Sequence, residues 1–188
     1  MARRFRAIRG AWSNYKNPRE QEPVDHAIGR SRGGMTCKIH LVTDGKGRPL
    51  GLVLTGGNAA DTSFFQTALE TIEVHDGGPG RPRRRPDRVL ADKAYTAKAN
   101  RDYLTGRGIK HTIPERDDQK THRARRGSAG GRPRAFDTDA YRGRNVVERC
   151  FNKLKNWRGI ATRYDKTARC YLGGVTLAAA LIWIKSAI

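Results

Sequence analysis

Four side chains near the C-terminal third of the chain carry its strongest chemical signal: Tyr141, Arg144, Glu148 and Lys155. Their spacing predicts one helix face. At about 100° per residue, with Tyr141 at zero, Arg144 falls near about −60°, Glu148 near −20° and Lys155 near −40°. Val146, Cys150, Leu154 and Trp157 fall on the opposite side as an apolar stripe. One face therefore belongs to a core, and the other presents a carboxylate between cations and a phenol. A solvated face laced with i,i+4 and i,i+7 charge pairs would look the same. The second carboxylate is Asp92, which ends the short apolar strand Arg88-Val89-Leu90-Ala91. A strand terminus fixes a carboxylate on rigid backbone, as metal binding requires. An ordinary strand-end or capping aspartate fits that position equally well.

The elements that must position these groups belong to a very basic chain. Its 188 residues are enough for one domain with its own core, and 37% of them are hydrophobic. Lys and Arg number 38 against 18 Asp and Glu, a formal charge of +20 and a pI near 10.8. Such a domain repels itself unless a polyanion neutralises it, and nucleic acid is the first partner to consider. An anionic membrane surface is the rival, but the cations are scattered along the chain rather than gathered on one amphipathic helix. The bland alternative is a generally basic, soluble surface. Cys37, Cys150 and Cys170 have no C-x-x-C spacing, so neither a zinc site nor a disulfide framework is expected, and a reducing cytoplasm suits the thiols. His26, His40, His75, His111 and His122 are dispersed and read as structural or solvent-facing. The first residues lack the apolar stretch of a signal peptide. The apolar run Gly173 to Ile184 is too short to span a bilayer and reads as a buried core helix.

Residues 1–24, rich in Arg and interrupted by Pro18 and Pro23, read as a basic arm with weak or no regular structure, ahead of a domain over 25–188. Strand-forming residues at 36–43 and 50–55, joined by Asp44-Gly45-Lys46-Gly47-Arg48-Pro49, predict a hairpin. A helix is expected over 62–73, a Gly/Pro/Arg loop over 76–86, and a strand over 88–92. A helix over 98–105 and a strand over 109–113 come next, then a long basic loop over 115–136. A helix over 138–157 and a second from about Tyr171 complete the chain. Strands alternating with helices imply an α/β fold with a mixed sheet.

The motif residues resemble a known pattern. Tyr141, Arg144, Glu148 and Lys155 reproduce in type and spacing the Y-(2)-R-(3)-E-(6)-K signature of the DDE transposases of insertion sequences 4 and 5. Leu90-Ala91-Asp92-Lys93-Ala94-Tyr95 resembles the segment around that family's second catalytic aspartate. Ile28 to Gly34 with Lys38-Ile39-His40 resembles the stretch leading into its hairpin, and Trp157 to Lys166 its C-terminal segment. The likeness runs from about residue 25 to the end. It implies a ribonuclease H-like mixed sheet flanked by helices, and metal-dependent phosphoryl transfer at insertion-sequence ends. Two Mg²⁺ ions, or Mn²⁺ in their place, would serve a complete site. By resemblance Asp92 and Glu148 are the catalytic, metal-holding carboxylates, and Arg144, Lys155 and Tyr141 contact DNA. Arg83, Arg84 and Arg85 are further candidates for the DNA backbone. The implied partners are duplex DNA at terminal inverted repeats and at a target, with self-association left open and no membrane.

The family's first catalytic aspartate precedes the hairpin, and residues 1–24 contain no Asp. Asp25, Asp44 and Asp61 lie in the wrong places to replace it. The expectation is a core lacking, or disordered at, its first strand, whose activity alone is impaired. The origin is a decayed element, a misplaced start or the second frame of a frameshifted gene. A non-catalytic DNA-binding fragment that inhibits intact transposase, and a ribonuclease H-like nuclease, are the competing readings.

Overall fold

The computed structural model describes residues 2–6, 25–32, 34–75 and 77–187. Its centre is the hairpin of β3 (Gly34–Thr43) and β4 (Pro49–Gly56), paired antiparallel with an irregularity between Val42 and Thr43. The turn is built by Asp44, whose Oδ1 accepts the N–H groups of Lys46 and Arg48, each at 2.9 Å, the local bonding for which Asp is favoured in turns. Gly47 takes φ +82°, a left-handed conformation that glycine adopts without strain. Past the hairpin, Gly57 lies so close to Thr36 that a Cβ would stand 1.7 Å from the threonine Oγ1, so only glycine fits.

β3 is buried on both faces, as a central strand covered by helices should be. Cys37, Ile39 and Leu41 point to one side. There they join Cys150, Phe151, Leu154, Ile160, Tyr171 and Val175 in one core. On the other side Val42 and Leu50 pack against a second core of Phe65, Leu69, Ile72, Val89, Tyr95, Leu104, Ile109 and Ile113. The first core comes from α5 (Asn145–Lys155), α6 (Arg158–Ala161) and α7 (Ala168–Ala187). The second comes from α1 (Phe65–Glu70), α2 (Lys98–Gly106) and the strand pair β5 (Arg88–Leu90) and β6 (Lys110–Thr112). The molecule is thus a mixed α/β arrangement flanked by helices, compatible with a ribonuclease H-like fold.

The structure corrects several expectations. The four predicted core strands do not share one sheet. β5 and β6 form a parallel pair of their own, while β3 carries β4, β2 (Gly29–Ser31) and β1 (Ala2–Arg6). β1 falls within the stretch read as an arm without regular structure. It pairs antiparallel with β3 from Ala2 opposite His40 to Arg6 opposite Thr36, and residues 7–24 lie outside the described residues. The basic loop of 115–136 contains α3 (Asp117–Arg125) and a 3-10 turn, Gly127–Gly130. The helix expected over 138–157 is two: α4 (Thr138–Arg142) and α5, joined through Gly143 and Arg144 by i→i−3 hydrogen bonds. That tighter winding turns about 120° per residue, so counting at 100° misplaces the residues beyond Gly143. The buried stripe is Cys150, Phe151 and Leu154, while Trp157, past the end of α5, is 48% exposed.

α7 also begins earlier than expected and is 20 residues long. Among the described residues it is the one helix long and apolar enough to cross a membrane. Tyr171, Val175, Ala178 and Ala179 are buried in the core, and Leu177 and Ile184 face outward.

Candidate active site at the end of strand β5

The parallel pair β5–β6 fixes Asp92. The Ala91 N–H continues the pairing to the Thr112 carbonyl at 3.3 Å, and the chain then leaves the sheet. Asp92 stands at the carboxyl end of the strand, where open α/β sheets place ligands. It also caps the 3-10 turn Lys93–Tyr95, its Oδ1 accepting the Lys93 N–H at 2.5 Å. One oxygen is thus engaged by backbone, and the other faces Arg144, at the start of the helix that carries Glu148.

The turn beneath Asp92 is well anchored. Tyr95 is buried, its ring packed at 5.4 Å on Phe65 and its hydroxyl 3.5 Å from His40 Nδ1. His40 Nε2 lies 2.9 Å from Thr55 Oγ1, and its ring stacks on Phe64. Burial lowers the His40 pKa to about 4, with the nearby Asp61 charge acting in the opposite direction. The neutral imidazole is thus a structural group. Beside it the buried Lys38 ammonium donates to Asp61 Oδ1 at 2.8 Å and to the Ala59 carbonyl.

Arg144 joins the two predicted carboxylates. Its Nη1 lies 3.7 Å from Asp92 Oδ2 and 3.2 Å from Glu148 Oε1. Distances of 3.7 and 3.2 Å to a shared nitrogen keep those oxygens within about 7 Å of each other. All three side chains are about one-quarter exposed. The guanidinium also sits 5.5 Å from the Tyr141 ring centroid, and Phe136 packs on that same ring at 5.1 Å. Burial, together with the charges of Asp92 and Glu148, raises the Tyr141 pKa, and Arg144 opposes them. A cavity of about 120 Å³, lined by His40, Phe65, Val89, Asp92, Arg144 and Val147, runs beneath the cluster between β3 and β5. Lys155 lies two helical turns beyond Glu148, at the last position of α5.

The other candidates lie apart. Arg83 pairs with Asp87 at 2.6 Å, Arg84 with Glu73 at 2.9 Å, and Arg85 donates to the Gly108 carbonyl at 2.9 Å. Asp44 is held by Arg48, and Asp61 by Lys38. Among the described residues no group of three or more His, Cys, Asp or Glu converges as metal ligands do.

Sequence reasoning missed one cluster. Glu115, 12% exposed, receives Arg123 through two nitrogens at 2.5 and 2.7 Å, and Arg134 approaches the same carboxylate at 3.6 Å. The signal available was an acid opening a segment otherwise crowded with arginine.

Known proteins resemble this chain in sequence. Residues 11–183 match the family model described as the transposase DDE domain. The chain is 33% identical, over 81% of its length, to a Burkholderia cepacia protein described as a transposase for insertion sequence element IS402, of which the match covers 64%. It is 31% identical, over 80% of its length, to a Brucella ovis protein described as a transposase for insertion sequence element IS6501, covering all of that protein. No solved structure matches the chain.

Proposed function

The chain belongs to the DDE transposase family, and on that premise we propose that it serves DNA transposition by phosphoryl transfer at a centre built on Asp92 and Glu148. The observation that carries this reading is their meeting across Arg144, from two elements 56 positions apart in sequence, a strand end and a helix face. The Tyr141-to-Lys155 spacing supports placing it with the transposases of insertion sequences 4 and 5.

The donor set suits a hard divalent cation. Mg²⁺ is commonly held by one or two carboxylates, with water and substrate phosphates completing its octahedron. Asp92 and Glu148 would hold such an ion, which when bound supplies Lewis-acid neutralisation of charge building on phosphate oxygens. The protein's own groups do the rest. β5 and its capped turn hold Asp92 rigidly, and α5 brings Glu148 to it. Arg144 balances the two carboxylates and can turn a planar fork of donors to a phosphate beside them. Tyr141 offers a ring for stacking on a DNA end, and Lys155 extends the cationic face. Arg83, Arg84 and Arg85 give the DNA backbone exposed charge, since exposed ion pairs are worth about 0–1 kcal/mol and yield readily to phosphate.

Because no third carboxylate joins these two among the described residues, this chain alone is expected to cut element ends poorly. A second reading, a DNA-binding transposase fragment that occupies element ends, draws on the same observation. The test is a cleavage assay on DNA bearing the element ends. It compares this chain with one that carries an added N-terminal strand bearing an aspartate. The longer chain is expected to cut in a Mg²⁺-dependent way. Asp92→Asn or Glu148→Gln should abolish cutting while leaving DNA binding intact. Cutting that survives both substitutions would sink the reading.

A further inference from the structure

The segment between β6 and α4 folds into a feature that the catalytic reading does not use. Glu115 forms its floor. One partly buried negative charge there gathers Arg123 and Arg134, and the buried Arg101 lies close enough to feel both Glu115 and Arg134. Arg101 is itself fastened, donating to the carbonyls of Thr96 and Ile113. Above this floor opens a cleft of about 670 Å³, lined by Lys98, Arg123, Arg126, Arg132 and Arg134 together with His122. Two acids, Glu115 and Asp118, line it as well. Glu115 is taken by Arg123, and Arg116 reaches Asp118 at 3.4 Å. Arg126 and Arg132 are both exposed. The walls are not a loose loop. Thr96 donates its hydroxyl proton to Gln119 Oε1 at 3.1 Å, which ties α3 to the turn just beyond Asp92. At the other end, Arg88 at the start of β5 pairs with Asp137, the cap of α4, at 2.7 Å.

A cleft with an excess of fixed positive charge, braced from within by a single carboxylate, is a site for a polyanion's phosphates rather than for a neutral or apolar ligand. Its shared wall with the Asp92 turn sets the direction. We propose that this cleft grips the DNA backbone on one flank of the cut, with Arg126 and Arg132 as the phosphate contacts and Glu115 as the group that holds the wall in shape. The proposal rests on the DNA-processing reading given above. It adds a second anchorage that neither the signature residues nor the three arginines of the 77–86 segment supply.

The test measures binding of a labelled duplex oligonucleotide to the full chain, in chelator and without divalent metal, across a series of salt concentrations. The double variant Arg126→Ser/Arg132→Ser is expected to bind more weakly and to flatten the slope of log affinity against log salt by about two units, one for each phosphate no longer neutralised. Both residues are exposed, and far-ultraviolet circular dichroism checks that the fold persists. A second variant, Glu115→Gln, should weaken binding and also raise protease sensitivity within 115–136. An unchanged slope in the double variant overturns the proposal. A parallel arm uses inorganic phosphate at matched ionic strength. If phosphate raises the melting temperature through Arg126 and Arg132 while duplex binding ignores them, the cleft is a small-anion site and the proposal also falls. The catalytic reading is judged separately. A flattened slope with no cleavage by the chain carrying the added strand leaves the cleft standing and removes the enzyme. Cleavage with an unchanged slope does the reverse. A parent chain that binds no duplex overturns both.

Discussion

Two places in this molecule bring carboxylate and arginine together, and they do so in opposite ways. At Glu115 the carboxylate is 12% exposed and Arg123 meets it through two nitrogens at 2.5 and 2.7 Å, a bidentate grip. At the end of β5 the contacts through Arg144 Nη1 are 3.7 and 3.2 Å, and the carboxylates are about twice as exposed. The first geometry is a fastening. Short bidentate charge-assisted bonds are strong, and costly to leave half-made. The second is a balance: two like charges held near one another by a cation at long range, which another cation can replace. Folding uses the one, and the proposed chemistry uses the other.

The contrast can be broken most readily by substitution. Glu115→Ala leaves Arg123 and Arg134 without their shared carboxylate and is expected to lower stability measurably, the largest loss among these variants. Urea denaturation measures it. Asp92→Asn, by contrast, is expected to change stability by no more than about 0.5 kcal/mol. Equal losses at the two positions would erase the distinction between fastening and balance.

Acid sharpens it next. The Arg123 hydrogen bond, joined after an opposing burial effect by the charges of Arg123, Arg134 and Arg101, holds the Glu115 carboxyl below its ordinary value. Its contribution is therefore present above the unfolded value of 4.5 and is lost as pH falls through the lower folded one. His40 acts in a separate window. Its folded pKa is depressed to about 4 from 6.5, so the unfolded chain binds the extra proton and stability declines as pH falls from 6.5 towards 4. Thermal melts across that range should show a decline that His40→Asn reduces, before the carboxylates contribute. A flat profile in the parent chain would show that the imidazole is solvated.

The last effect concerns DNA binding by the other basic segment and leaves stability almost untouched. Arg83, Arg84 and Arg85 already have protein partners, two of them exposed acids. Replacing all three should flatten the salt dependence of DNA binding by up to about three units, one per phosphate. A slope that does not move shows that this loop stays on its own acids and leaves the backbone to the cleft.

Each element was legible in the sequence to the extent that local forces build it. The β3–β4 hairpin was readable because alternating Cys37, Ile39 and Leu41 meet a turn that Asp44 and Gly47 specify locally. β5 and β6 were readable for their apolar content, but their separation from β3 was not, since hydrogen-bond partners across a sheet leave no local trace. α3 was missed because it buries nothing. It is held by Asp117 and Asp118 in its first turn, by cations in its last, and by Glu115, and none of these produces an apolar period. The site itself was half readable. The spacing from Tyr141 to Lys155 singled out Glu148 and Arg144, but only the fold brings them to Asp92. Arg144 as the shared partner of both carboxylates needed the tight winding at Gly143.

The seam between α7 and the hairpin has a spectroscopic consequence. Trp183 donates its indole N–H to the Pro49 carbonyl at 2.6 Å, and the Arg48 guanidinium lies 4.1 Å from its ring centroid. Trp157 is largely open to water. The two indoles are therefore distinct chromophores, one sheltered and cation-stacked, the other hydrated. With Trp12 and Trp157 replaced by phenylalanine, the emission of Trp183 becomes a reporter of whether α7 is seated on the hairpin. It should be blue of free tryptophan and resistant to iodide quenching, and it should shift red when that seam opens, even while the rest of the fold persists.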